Sequence, residues 1–110
     1  MTFDEYQKKA LATAIIHPDP LMDKTIWVMG VAGEAGEIWE KWKKIVAYKD
    51  GKISDEDLKE LSKELADVVW YIAVLAETLG LSFDEIMEQN VQKLASRKKR
   101  GVQKGSGDNR

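Results

Sequence analysis

The sequence predicts an all-α protein of four helices, and three observations carry that prediction. Apolar residues recur at helical spacing in four separate stretches. Helix-start signals precede three of them: Thr2-x-x-Glu5, Ser82-x-x-Glu85, and a weaker Ser54 followed by Asp57. No segment sustains the alternation of strand-type residues that a half-buried sheet needs.

The first helix follows the Thr2 cap, with Tyr6, Ala10, Leu11, Ala14 and Ile15 at helical spacing. His17-Pro-Asp-Pro20 ends it, because neither proline can continue a helix. The second helix runs from about Leu21 to Tyr48, and Lys49-Asp-Gly51 marks the turn after it. The third opens at Ser54 and runs to about Leu79, with Gly80 as its natural C-terminal cap. The fourth opens at Ser82 and passes through Asn90 and Leu94 to about Arg97.

At 110 residues the chain is one small domain, with 44% hydrophobic and 33% charged residues. It has no cysteine, which removes a disulfide framework and a thiolate zinc site. The N-terminus carries charges throughout, with neither a signal-peptide apolar region nor a membrane-length apolar run. These features predict a soluble, cytoplasmic protein without a membrane partner. The net charge of −2 conceals an asymmetry: residues 98–110 carry +4, leaving −6 on the other 97. The expected division is an all-α domain over 1–97 and a basic, glycine-rich tail over 98–110. That tail is read either as a flexible solvated end or as a lid bringing Arg100, Lys104 or Arg110 to a substrate. A nucleic-acid role is disfavoured by the acidic body and the lack of a recognition motif.

Two acid pairs are the sharpest chemical signal. Glu34 and Glu37 lie about 60° apart on the second helix. They stand between an apolar stripe (Val31, Ile38, Trp42, Ile45) and Gly33 and Gly36. Glu64 and Asp67 repeat the spacing on the third helix, beside Leu61, Leu65, Val68, Ile72 and Leu75. Asp67 is the sole charge between Leu65 and Ala76, a stretch apolar nearly all round and therefore expected to be buried. A buried carboxylate needs a cationic partner, a proton or a metal. Lys41 and Lys63 are possible salt-bridge partners for Asp67. Four acids converging from two antiparallel helices fit a hard cation better, and oxygen-only ligands favour Mg²⁺ or Mn²⁺. The glycines either make room for metal, phosphate or a neighbouring helix, or simply permit tight helix packing.

The pattern resembles the all-α nucleoside triphosphate pyrophosphohydrolases of the MazG type. "GEAGEIWE" carries Glu34 and Glu37, and "KELADVVWYI" carries Glu64 and Asp67 after 26 intervening residues. "NVQKLASR" then places Asn90, Lys93 and Arg97 like the family's phosphate- and nucleotide-contacting residues. The resemblance covers about residues 24–100. It implies a MazG-like bundle completed by homo-oligomerisation as a dimer or tetramer. It also implies hydrolysis between the α- and β-phosphates of a nucleotide, to monophosphate and pyrophosphate. Glu34, Glu37, Glu64 and Asp67 would hold Mg²⁺, with Glu34 or Glu37 as candidate general base. Asn90, Lys93 and Arg97 would contact substrate. Tyr71, one turn after Asp67, could stack on the base or sugar or simply pack in the core. Trp27 could line the base pocket, though a core role is the commoner one for tryptophan. Trp39, Trp42 and Trp70 belong to core or subunit interface, and His17 to a turn. The alternatives are a phosphoribosyl-ATP pyrophosphohydrolase, and a non-catalytic helical oligomer whose acids are structural.

Overall fold

A computed structural model describes residues 1–110. It contains four helices and no strand: α1 (Phe3–Ala12), α2 (Pro20–Lys49), α3 (Asp55–Thr78) and α4 (Phe83–Arg100). No single helix is long and apolar enough to cross a membrane.

Local chemistry explains where each helix begins and ends. Thr2 and Ser54 form full capping boxes with Glu5 and Asp57. Helix α1 stops at Ala12, five residues before the proline segment expected to end it. The Thr13 hydroxyl donates to the Ala10 carbonyl at 2.7 Å and accepts the Trp70 indole N–H at 2.9 Å. A side chain so engaged competes with continued helix. Asp19 then caps α2, and Pro20 takes a first-turn position where its missing N–H costs nothing. Asp50 (φ 54°) and Gly51 (φ 75°) both turn left-handed to leave α2. Gly80 (φ 71°) follows α3, and the Leu81 N–H reaches back to the Ala76 carbonyl at 2.9 Å. The same device ends α4 at Gly101, one turn beyond the expected stop at Arg97.

At Ser82 the expected reciprocal box is only half made. Its hydroxyl accepts the Glu85 N–H but also donates to Asp4, whose carboxylate accepts the Asp84 N–H. Asp84 in turn accepts the Phe3 N–H at 3.0 Å. The N-termini of α1 and α4 thus cap each other across about 80 residues of sequence, and Asp4 is held below the usual carboxylate range, first by the Asp84 N–H.

Helices α2 and α3 form a long antiparallel pair, with α1 laid across the second half of α3. Its core is Ala10, Trp27, Ala73, Val74 and Phe83, flanked by Tyr6, Trp70, Tyr71, Leu75 and Met87. Gln7, 2% exposed, donates to the Leu81 carbonyl and accepts the Phe83 N–H, satisfying the backbone where α3 turns into α4. The chain bends by 108° between α3 and α4, and α4 does not touch α2.

The apolar stretch of α3 is covered only in part. Ala73, Val74 and Ala76 are buried, whereas Leu65 is 56% exposed and Asp67 is also exposed. Helix α2 runs along this helix and α1 crosses only its second half, which leaves one side of its first half open. Trp42, read as part of the inner stripe of α2, is likewise exposed; Trp27, Val31, Ile38 and Ile45 face inward.

Candidate active site

The inward face of α2 runs Trp27, Gly30, Val31, Glu34, Ile38, Lys41, Ile45, a near-heptad seam. The facing seam of α3 carries Asp57, Leu61, Glu64, Val68, Tyr71 and Leu75. Polar and apolar residues alternate along this seam in blocks. At the α2–α3 turn, Lys49 pairs with Asp57 at 2.7 Å, and this bond with the Ser54 cap lowers Asp57 to about 2. At the other end stand the aromatic rings. Between them lies the acidic group.

Glu34, Glu64 and Asp67 bring carboxylate oxygens within 4.8 Å of one another. Glu34 and Glu64 are half-buried and Asp67 is exposed. Glu37, the fourth expected ligand, is exposed and falls outside that group. The seam position of Glu34 explains the split. The seam continues from Glu34 to Ile38, four places on, and leaves Glu37 about 60° to one side, towards solvent.

The electrostatics are those of like charges held together. Glu34 is raised above the usual carboxylate range, first by desolvation and then by Asp67, Glu64 and Glu37. Lys41 pairs with Glu64 at 3.3 Å and Glu60 at 3.7 Å, while Lys63 turns to Glu60. The cationic partners considered for Asp67 therefore go elsewhere, and neither Glu34 nor Asp67 forms an ion pair. Three carboxylates with one lysine between them form an oxygen donor set of excess negative charge. That set fits a hard divalent ion and offers nothing to a soft one.

Two tyrosines border the acids. Tyr71 packs its ring over Gly30, where a Cβ would stand 2.2 Å from ring carbons. This close approach is one reason for glycine inside α2. Gly33 and Gly36 meet nothing within 4 Å. Tyr6 of α1, not singled out from the sequence, is half-buried and raised by burial and then by the Asp67 charge. Nothing in the local sequence of α1 signals that closeness, which depends on how α1 crosses α3.

Trp27 is 4% exposed, edge-on to Trp70 at 5.7 Å and 6.2 Å from Tyr71, with its Nε1 unpartnered. Asn90, Lys93 and Arg97 lie together on α4, away from α2. Asn90 is exposed, Lys93 half-buried and Arg97 only 7% exposed. A single chain thus does not bring these residues against Glu34. His17 lies in the α1–α2 connection, its backbone N–H donating to buried Asp23.

Residues 24–102 match the family of the MazG nucleotide pyrophosphohydrolase domain. The chain is also 46% identical over 115 aligned positions to the gene 37 protein of Mycobacterium phage L5, covering all of both proteins. No solved structure matches.

Proposed function

The chain belongs to the MazG nucleotide pyrophosphohydrolase family, and from that premise we propose that it is a divalent-metal-dependent hydrolase of nucleoside triphosphates. It cleaves between the α- and β-phosphates to give a monophosphate and pyrophosphate. The observation that carries this reading is the convergence of Glu34, Glu64 and Asp67 without a full set of cationic partners.

Mg²⁺ or Mn²⁺, when bound, supplies charge neutralisation for the triphosphate and Lewis acidity toward the attacking water. Glu34, Glu64 and Asp67 hold the ion. Glu37, exposed at the rim one turn from Glu34, completes the set or accepts the proton of the attacking water. Lys93 and Arg97 hold the outer phosphates and stabilise the charge developing on pyrophosphate, with Asn90 beside them. Tyr71 faces the base or sugar, and Trp27 backs it from the core side.

This division of labour places α4 of one copy against the acids of another, in a homodimer or a tetramer built from two dimers. Three observations support assembly. The radius of gyration is 17.0 Å, against about 13 Å for a compact chain of this size. Only 10 of 110 residues are buried, which is little core for one chain. The outer face of α2 exposes Val28, Met29, Trp39, Trp42 and Val46. A sedimentation measurement finding only monomer at micromolar concentration would overturn the assembly.

The test of the reaction is a panel of nucleoside triphosphates, incubated with Mg²⁺ or with EDTA and resolved by nucleotide chromatography. Monophosphate and pyrophosphate in the Mg²⁺ samples alone is the expected result. Diphosphate and orthophosphate would contradict it. Absence of turnover by a folded oligomer would favour phosphoribosyl-ATP as substrate, to be assayed in the same format. Inactivity there as well would leave the acids as structural charges in a non-catalytic oligomer.

A further inference from the structure

Residues 102–110 form a closed loop against α4. Beyond Gly101 the Val102 N–H returns to the Arg97 carbonyl at 2.9 Å. The Arg110 side chain then closes the loop on itself. Its Nε donates to the Val102 carbonyl at 3.1 Å, Nη1 to Gly107 at 2.7 Å and Nη2 to Gln103 at 2.9 Å. Gly107 (φ 86°) and Gly105 (φ 145°) provide the turns.

The loop delivers one acidic side chain to the basic side of α4. Asp108 Oδ1 accepts from Lys93 Nζ at 2.9 Å and from Arg97 Nη2 at 3.2 Å, and Arg97 also donates to the Asp108 carbonyl. Arg97 is buried, yet its Nε has no partner. The Asp108 side chain is 75% exposed. Asn90, Lys93 and Asp108 border a cavity of about 330 Å³ at this point.

We propose that Asp108 is a displaceable internal anion, occupying the Lys93–Arg97 phosphate site until a substrate or product phosphate takes its place. This rests on the reading of Lys93 and Arg97 as phosphate ligands. One carboxylate faces two cations, so the pair remains net positive with Asp108 in place. The carboxylate meets only one terminal nitrogen of Arg97, whereas a phosphate can take two guanidinium N–H groups at once. A pyrophosphate moiety brings more charge and more acceptor oxygens than the group it replaces. The exit is also open. Asp108 lies at the surface, and the Arg110 side-chain bonds are internal to the loop. The loop therefore swings away as a unit about Val102, whose N–H anchors its base to the Arg97 carbonyl, once Asp108 and the Arg100–Arg110 contact (2.9 Å) release. In this role Asp108 tunes affinity for phosphates and sets a threshold for product inhibition.

The experiment is calorimetric titration of inorganic pyrophosphate, with Mg²⁺ present, into the full chain and its Asp108→Asn and Lys93→Met variants. Asp108→Asn is expected to bind about three- to tenfold more tightly, the effect of removing a competing, partly exposed ion pair. Lys93→Met is expected to bind more weakly. In the wild type, pyrophosphate is expected to speed tryptic cleavage after Lys104 as the loop releases. Unchanged or weaker binding by Asp108→Asn, with Lys93→Met still impaired, would overturn the displacement role and leave the phosphate assignment standing. Pyrophosphate protecting Lys104 would overturn it too. No binding, or no effect of Lys93→Met, would overturn the phosphate assignment and this inference with it.

Discussion

Glu34→Gln is expected to lower pyrophosphate release by at least about a hundredfold, since even outer-shell changes at metal sites cost 10–100-fold. The same change is expected to raise the melting temperature of the metal-free protein. The reason is the crowding of like charges in the α2–α3 seam. Glu34 has its folded-state value raised above 4.5 by desolvation and by Asp67, Glu64 and Glu37. For a carboxyl raised in the folded state, the unfolded chain gives up its proton first. Stability of the metal-free protein therefore falls as pH rises from about 4.5 through the raised value. Glutamine removes that penalty and keeps the shape. Melting curves in EDTA at pH 4 and pH 7 check it: the wild type loses more stability than Glu34→Gln across that interval. Equal activity in both proteins would remove Glu34 from the site, and equal pH dependence would remove the crowding. A gain in stability with loss of activity is the pattern of a strained functional group.

Gly30→Val carries the second large effect, on stability. A Cβ at position 30 would lie 2.2 Å from Tyr71 Cδ1 and Cε1 and 2.6 Å from Cζ. The ring has little room to yield, because Trp27 and Trp70 pack against it at 6.2 and 5.0 Å. Overpacking of this kind costs about 1–3 kcal/mol, and the gain in helix preference of valine over glycine, a few tenths of a kcal/mol, offsets little of it. A loss of about 2 kcal/mol in denaturant melts is expected. Tyr71→Ala is expected to be destabilising alone but to recover part of the loss in the Gly30→Val background, as a double-mutant cycle reads coupling between contacting residues. Wild-type stability of Gly30→Val would contradict the packing. The opening of "GVAGEAGE" thus has a definite cause at one glycine, the seat of an aromatic ring from the facing helix.

What could be read from sequence followed the range of the interactions involved. The four helices were legible because capping, helical period and the left-handed glycines act within a few residues. Thr2 with Glu5, Ser54 with Asp57, and Gly80 after α3 all stand where local chemistry puts them. Errors arose where a distant partner intervened. Trp70 captured Thr13 and ended α1 early, and Asp4 diverted Ser82 from its own box. Spacing alone could pair Glu34 with Glu64 and Asp67, but not reveal that Glu37 rotates out of the seam. Nor could it assign Lys41 to Glu64, since several lysines share the helical register. Tyr6 beside Asp67 and Asp108 on Lys93 depend on chain crossings with no local signature. Exposure of Leu65 within an apolar stretch shows the converse limit: the pattern reports that a face needs cover, not which molecule covers it.

Glu34, Glu64 and Asp67 are proposed to form a divalent-metal centre. Its most direct test is Mn²⁺ titration followed by electron paramagnetic resonance, on wild type and on Asp67→Asn. Asp67 is exposed and leaves no buried hole when changed, so the variant is expected to fold. Saturable binding by the wild type, at least about tenfold weaker in Asp67→Asn, is the predicted result. Equal affinity in the two proteins, or no saturable binding by the wild type, would contradict it.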